Sequence, residues 1–351
     1  MRVAVSRNAR LASVAAEFLR GVRVLDLSIW RPGPYATSLL VALGADVLKV
    51  EPPGGDPMRH YAELFESINA GKRSIVLDLK DGDDRAQALD LAAEADVLVE
   101  GFRPGVMARL GLDEQTVRAV HPGLVYCSIS GYGQNDPRAA LPGHDLNYQA
   151  WAGALTPEGG TAQMSPLPVA DLAAGLTAAF GICAAVLGRA ATGAGTYLDV
   201  SMTDVLATWT GRARSSDEGA SASGPVPGYG LFTTADGGQI ALGVLSEQHF
   251  WSALCSELGL VGLTALDFAE RSSRGSELQR TVSAAIAGRT QDDLVDALVA
   301  ANVPVAPVLD RAGMLASAPF PRFPIRLARA EAELPVPAVD EHRGQGFAPR
   351  P

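Results

Sequence analysis

Residues 22–51 read VRVLDLSIWRPGPYATSLLVALGADVLKVE, and this stretch decides the fold. The apolar run at 22–27 indicates a β-strand, and a loop with two prolines and a glycine follows it. Residues 35–43 have helical spacing and stop at Gly44, after which residues 47–50 form a second apolar run. The order strand, loop, helix, strand is typical of a βαβ unit, which predicts two parallel strands joined by a right-handed crossover.

The same alternation of strand and helix continues to about residue 130. A helical pattern occupies 84–94, and apolar runs typical of strands lie at residues 74–79, 97–100 and 123–130. This alternation predicts an α/β fold with a doubly wound, mostly parallel, Rossmann-like sheet. No GxGxxG motif follows the first strand, which argues against a nicotinamide cofactor.

The fold class predicts where a ligand binds. In a doubly wound sheet, ligands bind beyond the carboxyl ends of the strands. We therefore expect one rim of the sheet to carry the loops at residues 28–35, 69–73, 101–105 and 131–133. Two of these loops carry cations, Lys72 with Arg73 and Arg103, which predicts a site for phosphate or pyrophosphate. Solvated surface charge is the alternative that the residues alone leave open.

The second half of the chain predicts a smaller domain. A long apolar helix at 172–189 and a strand at 196–200 complete the first domain, and a polar stretch rich in Ser and Gly follows. A hairpin around Gly237 and Gly238, three helices and a strand at 303–309 then indicate an α+β domain. The predicted parts are an N-terminal extension, a large α/β domain, a linker, a small α+β domain and a C-terminal segment that returns to the large domain, at residues 1–20, 21–212, 213–228, 229–318 and 319–351.

Composition argues against several classes of function. The 351 residues carry a formal net charge of −10, which disfavours a nucleic-acid-binding protein because phosphates need a basic surface. The three cysteines form no CxxC motif and leave one over in any pairing, so we expect no disulfide framework, no zinc site and a cytoplasmic location. No apolar run reaches the roughly 20 residues of a membrane span, so residues 172–187 are interpreted as a buried helix.

Two residues are candidates for proton transfer or nucleophilic chemistry. His144 and Asp171 each lie in a stretch bounded by proline and glycine, where regular structure is interrupted. Both side chains can exchange protons near neutral pH once their surroundings shift their pKa values. A single histidine beside a glycine is more often part of a turn, so neither residue identifies a function alone.

Six short motifs follow one another along the chain. They are GPY at 33–35, LGADVLKVEP at 43–52, NAGKRS at 69–74, VEGFRPG at 99–105, SGYG at 130–133 and TGAG at 192–195. Together they resemble the class III (family III) CoA-transferase superfamily, which includes the α-methylacyl-CoA racemases. The resemblance implies that the large domain binds an acyl-CoA thioester as substrate and that two chains form an interlocked homodimer.

Within the superfamily, the motif GHDLNY that contains His144 resembles the racemase branch. The resemblance implies that His144 and Asp171 exchange the α-proton of a 2-methylacyl-CoA, or a related acyl-CoA, from opposite faces through an enolate. It implies no metal and no added cofactor. It also implies that Glu247 of the small domain supports the histidine, although an alignment on Gly243 places Ser246 there instead.

The same resemblance implies binding roles. Backbone N–H groups have to hold the thioester oxygen as charge develops on it, and we expect them near Gly143 or Asp171. Arg103 is expected to face the CoA phosphates, together with the loop that carries Lys72 and Arg73.

Two other functions stay open at this point. In a CoA-transferase, Asp171 would attack the acyl-CoA thioester as a nucleophile and form a mixed anhydride, which a second carboxylate then exchanges. His144 would then line the pocket. In a non-catalytic acyl-CoA-binding paralogue, neither residue would turn over substrate. The chain departs from the racemase pattern at residues 172–175, where LAAG replaces a run of glycines, and at residues 203–228, which are fewer than the pattern leads us to expect.

Overall fold

The structure is a computed structural model, and it describes residues 17–155, 162–210 and 226–317. The described residues fall into two compact units, one within residues 17–210 and the other within residues 226–317. Leu19, from the predicted N-terminal extension, is buried in the core of the first unit. The predicted C-terminal segment and most of the predicted linker lie outside the described residues.

The first unit alternates strands and helices from end to end. In chain order its elements are β1 (Arg23–Asp26), α1 (Pro32–Ala42), β2 (Asp46–Glu51), α2 (Ala62–Asn69), β3 (Arg73–Val76), α3 (Gly82–Glu94), β4 (Val97–Glu100), α4 (Val106–Leu110), α5 (Glu114–Val120), β5 (Val125–Ser130), α6 (Asp145–Trp151), α7 (Val169–Thr192), β6 (Tyr197–Ser201) and α8 (Met202–Trp209). The strands agree with the sequence prediction, whereas α2, α4, α5 and α6 were not predicted. Each of these four helices has eight residues or fewer, which is too short for a helical period to stand out in the sequence.

The six strands of this unit form one parallel sheet in the order β3-β2-β1-β4-β5-β6. This order confirms the predicted doubly wound, Rossmann-like α/β fold. The strand order reverses between β1 and β4, so the connections beyond their carboxyl ends leave toward opposite sides of the sheet. A crevice opens at that point, and it is where such a fold places a ligand.

Helices cover both faces of the sheet, and strand residues alternate between two cores. In β1, Val24 packs in the core formed with α1 and α7, whereas Leu25 packs in the core formed with α3. Val97 and Leu98 repeat this alternation in β4. Because both faces are covered, apolar residues occupy consecutive positions in the strands, as Val97–Val99 do in β4.

The helix α7 passes very close to the start of α1. It runs from Val169 to Thr192 and ends at Gly193, whose left-handed φ of 71° closes the helix. It is therefore longer at both ends than the predicted helix. A Cβ atom at Gly175 would lie 2.7 Å from the backbone oxygen of Pro32, so the glycine permits the close approach of the two helices.

By length and composition alone, α7 could cross a membrane, but the core helix of a globular protein meets the same criterion. One side of α7 is buried in the first core through Ala170, Ala174 and Ala178. Elsewhere along it the side chains of Leu176 and Phe180 are exposed. The absence of a membrane span remains a prediction.

The second unit has an antiparallel sheet with the strand order β7-β8-β9. In chain order its elements are β7 (Tyr229–Thr233), β8 (Gln239–Gly243), α9 (Gln248–Glu257), α10 (Phe268–Ser273), α11 (Gly275–Ile286), α12 (Gln291–Ala300), β9 (Val305–Pro307) and α13 (Arg311–Ser317). Its core contains Trp251, Leu278 and Leu294. The sheet with its helices confirms the predicted α+β class. The strand β9 is shorter than the predicted strand because only three of its residues pair with β8.

Candidate active site

Three of the four predicted rim loops lie where the sequence places them. Residues 28–31 follow the carboxyl end of β1, residues 101–105 follow β4, and residues 131–133 follow β5. The connection from β5 continues to α6 and α7, which carry the two predicted catalytic residues near their first turns. The sheet therefore directs these segments toward the crevice between β1 and β4.

Tyr148 connects several of the predicted residues. Its hydroxyl donates a hydrogen bond of 2.6 Å to the backbone oxygen of Gly143, beside His144. Burial raises the pKa of Tyr148 to about 12, the charge of Asp171 adds to the rise, and the charge of Arg103 opposes it. The structure therefore brings Gly143, Asp171 and Arg103 into one electrostatic neighbourhood around this ring.

Asp171 lies in the first turn of α7 and is largely shielded from solvent. Its carboxylate accepts no hydrogen bond from any residue that the structure describes. Burial raises the pKa of Asp171 from its ordinary 3.8 to about 7, the charge of Asp145 adds to the rise, and Arg31 opposes it. A desolvated carboxylate that ionises near neutral pH is suited to take a proton or to attack a carbonyl carbon.

Asp145 holds the start of α7, a role that the sequence analysis did not assign. Its Oδ1 accepts hydrogen bonds from the backbone N–H groups of Ala170 at 2.8 Å and Asp171 at 3.1 Å. The N–H of Leu172 donates to the backbone oxygen of Pro168 at 3.1 Å. Since these N–H groups are engaged within the fold, their contacts favour Gly143 over Asp171 for the predicted contact with the thioester oxygen. Gly143 keeps that predicted role.

His144 precedes the first residue of α6 and its side chain is exposed. Its backbone N–H donates to Asn147 Oδ1 at 3.0 Å, which fixes the turn into the helix. The imidazole meets the ring of Trp30 edge to face, with 6.3 Å between the ring centroids and 83° between the planes. The described contacts of the imidazole are thus made with the loop after β1, and no contact with Asp171 is found among them.

The loop after β1 contributes two residues that the sequence analysis missed. Trp30 has a left-handed φ of 65°, which is rare for a residue with a large side chain and indicates a conformation imposed by its neighbours. Arg31 follows it, and its charge lowers the pKa of Asp171. The only signal in the sequence is their place in a Pro/Gly-rich loop at a predicted sheet rim.

The loop at residues 69–73 does not lie on this rim, contrary to the prediction. It follows α2 and precedes β3, so it is at the amino end of its strand. The ammonium group of Lys72 is buried and lies 3.2 Å from Asp26 Oδ2. Arg73 belongs to β3 and its Nη2 lies 2.8 and 2.7 Å from the two carboxylate oxygens of Asp46. Both cations are paired within the fold, and this placement does not support phosphate binding by them.

Arg103 remains a candidate for phosphate binding. Its side chain is exposed and forms no ion pair with any residue that the structure describes. The turn that carries it is fixed by Glu100, whose Oε2 accepts a hydrogen bond of 2.8 Å from the Phe102 N–H. Burial raises the pKa of Glu100 to about 7, while the hydrogen bonds from Ser128 and Phe102 oppose the rise.

Glu247 lies in the second unit, directly before the first residue of α9. Its Oε2 accepts a hydrogen bond of 3.2 Å from the Leu245 N–H. The buried Arg271 donates to the backbone oxygen of Leu245 at 2.8 Å and stacks on Trp251 with 5.0 Å to the ring centroid. Leu245 and Glu247 therefore belong to one rigid turn, and the predicted role of Glu247 beside His144 stays a prediction.

Known proteins resemble this chain over most of its length. The model of CoA-transferase family III matches residues 19–338. An acetyl-CoA:oxalate CoA-transferase from Acetobacter aceti is 33% identical over 314 residues, which cover 83% of this chain and 80% of that protein. A succinyl-CoA:mesaconate CoA-transferase from Haloarcula hispanica is 35% identical over 328 residues, which cover 84% of this chain and 81% of that protein.

Solved structures agree with the sequence relatives. The crystal structure of a CAIB/BAIF family protein from Brucella suis matches with a TM-score of 0.78 and 27% identity. The match covers 93% of this chain and 97% of that one. The chain therefore belongs to CoA-transferase family III, and the protein is an enzyme of that family.

Proposed function

We propose that the protein transfers CoA from an acyl-CoA to a second carboxylic acid and that Asp171 is the nucleophile. The observation that carries the proposal is the carboxylate of Asp171, which is shielded, accepts no hydrogen bond from the described residues and has its pKa raised to about 7. The similar proteins whose names specify oxalate and mesaconate as substrates are CoA-transferases, which supports transfer over the racemisation that the GHDLNY motif predicts.

The chemistry needs a carboxylate and no redox partner. The ionised Asp171 attacks the thioester carbonyl carbon, a C–O bond forms, the C–S bond breaks, and CoA leaves as a thiolate. The thiolate then attacks the aspartyl carbonyl and releases the donor acid, leaving CoA on the aspartate. The acceptor carboxylate repeats the two steps in reverse, so that it gains CoA and Asp171 is regenerated.

Neighbouring residues support this sequence of steps. The N–H of Gly143 has no partner among the described residues and is available for the thioester oxygen, as predicted. The cation of Arg31 stabilises the ionised form of Asp171. Arg103 would bind the phosphates of CoA, and its exposure on a rim loop supports this role. His144 would line the substrate pocket, and its ring contacts that of Trp30. A homodimer is part of the proposal, and its mass in solution tests it.

An isotope exchange tests the proposal without knowledge of the natural acceptor. The protein is incubated with acetyl-CoA and ¹³C-acetate, and separately with succinyl-CoA and ¹³C-succinate. These donors are chosen because they occur in the names of the relatives. A CoA-transferase moves the label into the acyl-CoA, and mass spectrometry reads it. Hydroxylamine added during turnover should convert Asp171 to a hydroxamate.

Racemisation predicts a different result. The exposed imidazole of His144 is the observation that favours it, since a second base has to be accessible to the α-carbon. A 2-methylacyl-CoA in deuterium oxide would then gain deuterium at the α-carbon without any acceptor acid. Deuteration that is lost in His144→Ala, together with no label exchange at high enzyme concentration, would overturn the transferase proposal. Label exchange that survives His144→Ala and is lost in Asp171→Ala supports it.

A further inference from the structure

A cluster of buried charges lies beneath the loop that faces Asp171. Asp26 ends β1, Lys49 belongs to β2, Lys72 precedes β3, and the side chains of all three are almost fully buried. Lys72 Nζ lies 3.2 Å from Asp26 Oδ2, and Lys49 Nζ lies 2.9 Å from Asp56 Oδ2. Burying charges is unfavourable unless each one is paired and hydrogen-bonded. The partners of these groups therefore indicate what the cluster holds in place.

The cluster holds both ends of the loop at residues 28–34, a segment whose last three residues also form the first turn of α1. At the first end, Asp26 accepts hydrogen bonds from the backbone N–H and the hydroxyl of Ser28, and Lys49 Nζ donates to the backbone oxygen of Ser28 at 2.7 Å. At the other end, Lys72 Nζ donates to the backbone oxygen of Pro34 at 2.8 Å. Residues 29–33 thus lie between two backbone oxygens that accept hydrogen bonds from buried ammonium groups.

Trp30, Arg31 and Pro32, which lie between these two oxygens, contact or affect residues of the candidate active site. Trp30 holds its left-handed φ of 65° there and places its ring against His144. A conformation of this kind is unfavourable for a large side chain and persists only where the surroundings determine it. The charge of Arg31 lowers the pKa of Asp171. The backbone oxygen of Pro32 packs against α7 one turn after Asp171.

We propose that Asp26, Lys49 and Lys72 form a positioning device that fixes the loop at residues 28–34 against Asp171. None of the three touches the reacting atoms; they act through Trp30 and Arg31. This inference rests on the proposed role of Asp171 as nucleophile. It assigns a function to Lys72, which the sequence analysis interpreted as a phosphate ligand.

The double variant Asp26→Asn/Lys72→Met tests the device. Removing both partners avoids the unpaired buried charge that either single change would leave. The rate is measured by exchange of ¹³C-acid into acyl-CoA with the acetyl or succinyl pair that wild type uses. We expect kcat to fall about 10-fold or more, because displacing a catalytic site by about 1 Å can cost up to 10²-fold. The KM for the acyl-CoA should stay within about 3-fold of wild type.

The pH profile separates positioning from a loss of folded protein. When the loop moves, Arg31 withdraws from Asp171, so the pKa of Asp171 rises and the acid limb of kcat moves to higher pH. A smaller fraction of folded enzyme lowers kcat at every pH and leaves the limb in place. The matched control is Glu114→Gln/Arg118→Met, which removes an ion pair on α5 away from the loop and should leave both kcat and the limb unchanged.

A second variant covers the case in which the double variant does not fold. Thr37 Oγ1 donates to Asp26 Oδ2 at 2.6 Å, and Thr37→Val removes that bond while keeping both charges and the shape of the side chain. It should move the acid limb in the same direction with a smaller loss of kcat. If the folded variants keep the wild-type acid limb and kcat while Asp171→Ala is inactive, the positioning device is overturned and the proposed function stands. Full exchange activity in Asp171→Ala overturns the proposed function and the device with it.

Discussion

Replacing Asp171 by asparagine should stabilise the protein above neutral pH while abolishing its activity. The carboxylate is shielded, has no hydrogen bond from the described residues and lies near a second carboxylate, Asp145. Its pKa rises from an ordinary 3.8 to about 7, which corresponds to roughly 4 kcal/mol at 1.36 kcal/mol per unit. Since the side chain keeps some contact with solvent, we expect about half of that, ~2 kcal/mol.

The sign of the effect follows from proton binding. Between pH 3.8 and about 7 the folded protein keeps a proton that the unfolded chain has released, so stability falls as pH rises through this window. The stabilisation that this bound proton contributes is fully present below pH 3.8 and fully lost above the pKa of Asp171 in the folded protein. Asparagine does not titrate. The advantage of Asp171→Asn should therefore be small near pH 4, grow toward pH 7 and stay constant above it.

Calorimetry at pH 5 and pH 8 measures this prediction. An increase of ~2 kcal/mol raises the unfolding temperature of a unit of this size by about 4 to 8 °C. The control is Asp83→Asn, which removes an exposed carboxylate from the first turn of α3 and should cost at most about 1 kcal/mol at either pH. An Asp171→Asn protein that is no more stable than wild type at pH 8, or equally stabilised at both pH values, would refute the reasoning.

Two further variants test the surroundings of Asp171. Asp145→Asn keeps the side-chain oxygen that caps α7 and removes its charge, so the pKa of Asp171 should fall. The acid limb of kcat in the isotope exchange should then move to lower pH. A limb that stays in place contradicts this. Gly175→Ala should destabilise the protein by about 1–3 kcal/mol in thermal unfolding, since its Cβ would lie 2.7 Å from the backbone oxygen of Pro32. Gly188→Ala on the same helix has no atom within 4 Å of its Cβ and should be neutral or stabilising by up to about 1 kcal/mol, and equal effects of the two changes would contradict the packing argument.

The arrangement of the sheet could be predicted from the sequence because parallel strands are buried on both faces. Such strands appear as apolar runs like VRVLDL, and the glycines and prolines between them mark the turns. The position of the loop at residues 69–73 follows from the same pattern, because the loop precedes the apolar run at 74–79 and so lies at the amino end of that strand. The expectation that it belongs to the rim at the carboxyl ends is therefore wrong. Its two cations were then interpreted as ligands although they form ion pairs within the fold.

The residues around Asp171 were harder to predict because their roles depend on contacts between distant parts of the chain. Asp145 accepts hydrogen bonds from the N–H groups of residues that follow it by 25 and 26 positions, and no local sequence pattern predicts such a contact. Trp30 adopts a backbone conformation that its residue type does not favour. We attribute its conformation to the buried charges on β1, on β2 and directly before β3. The sequence therefore predicted His144 and Asp171 as candidates, but not the residues that determine their behaviour.

Asp145 has two opposite effects on the start of α7, and together they explain how a reactive carboxylate is kept there. As a hydrogen-bond acceptor it caps the helix and holds the backbone of Asp171 in place, which stabilises the fold. As a negative charge it makes the ionised form of Asp171 less favourable and raises its pKa. An asparagine would supply the cap without the repulsion, and Asp171 would then be a weaker base and a weaker nucleophile. The charge on Asp145 therefore affects the reactivity of Asp171 in addition to its part in holding the start of α7.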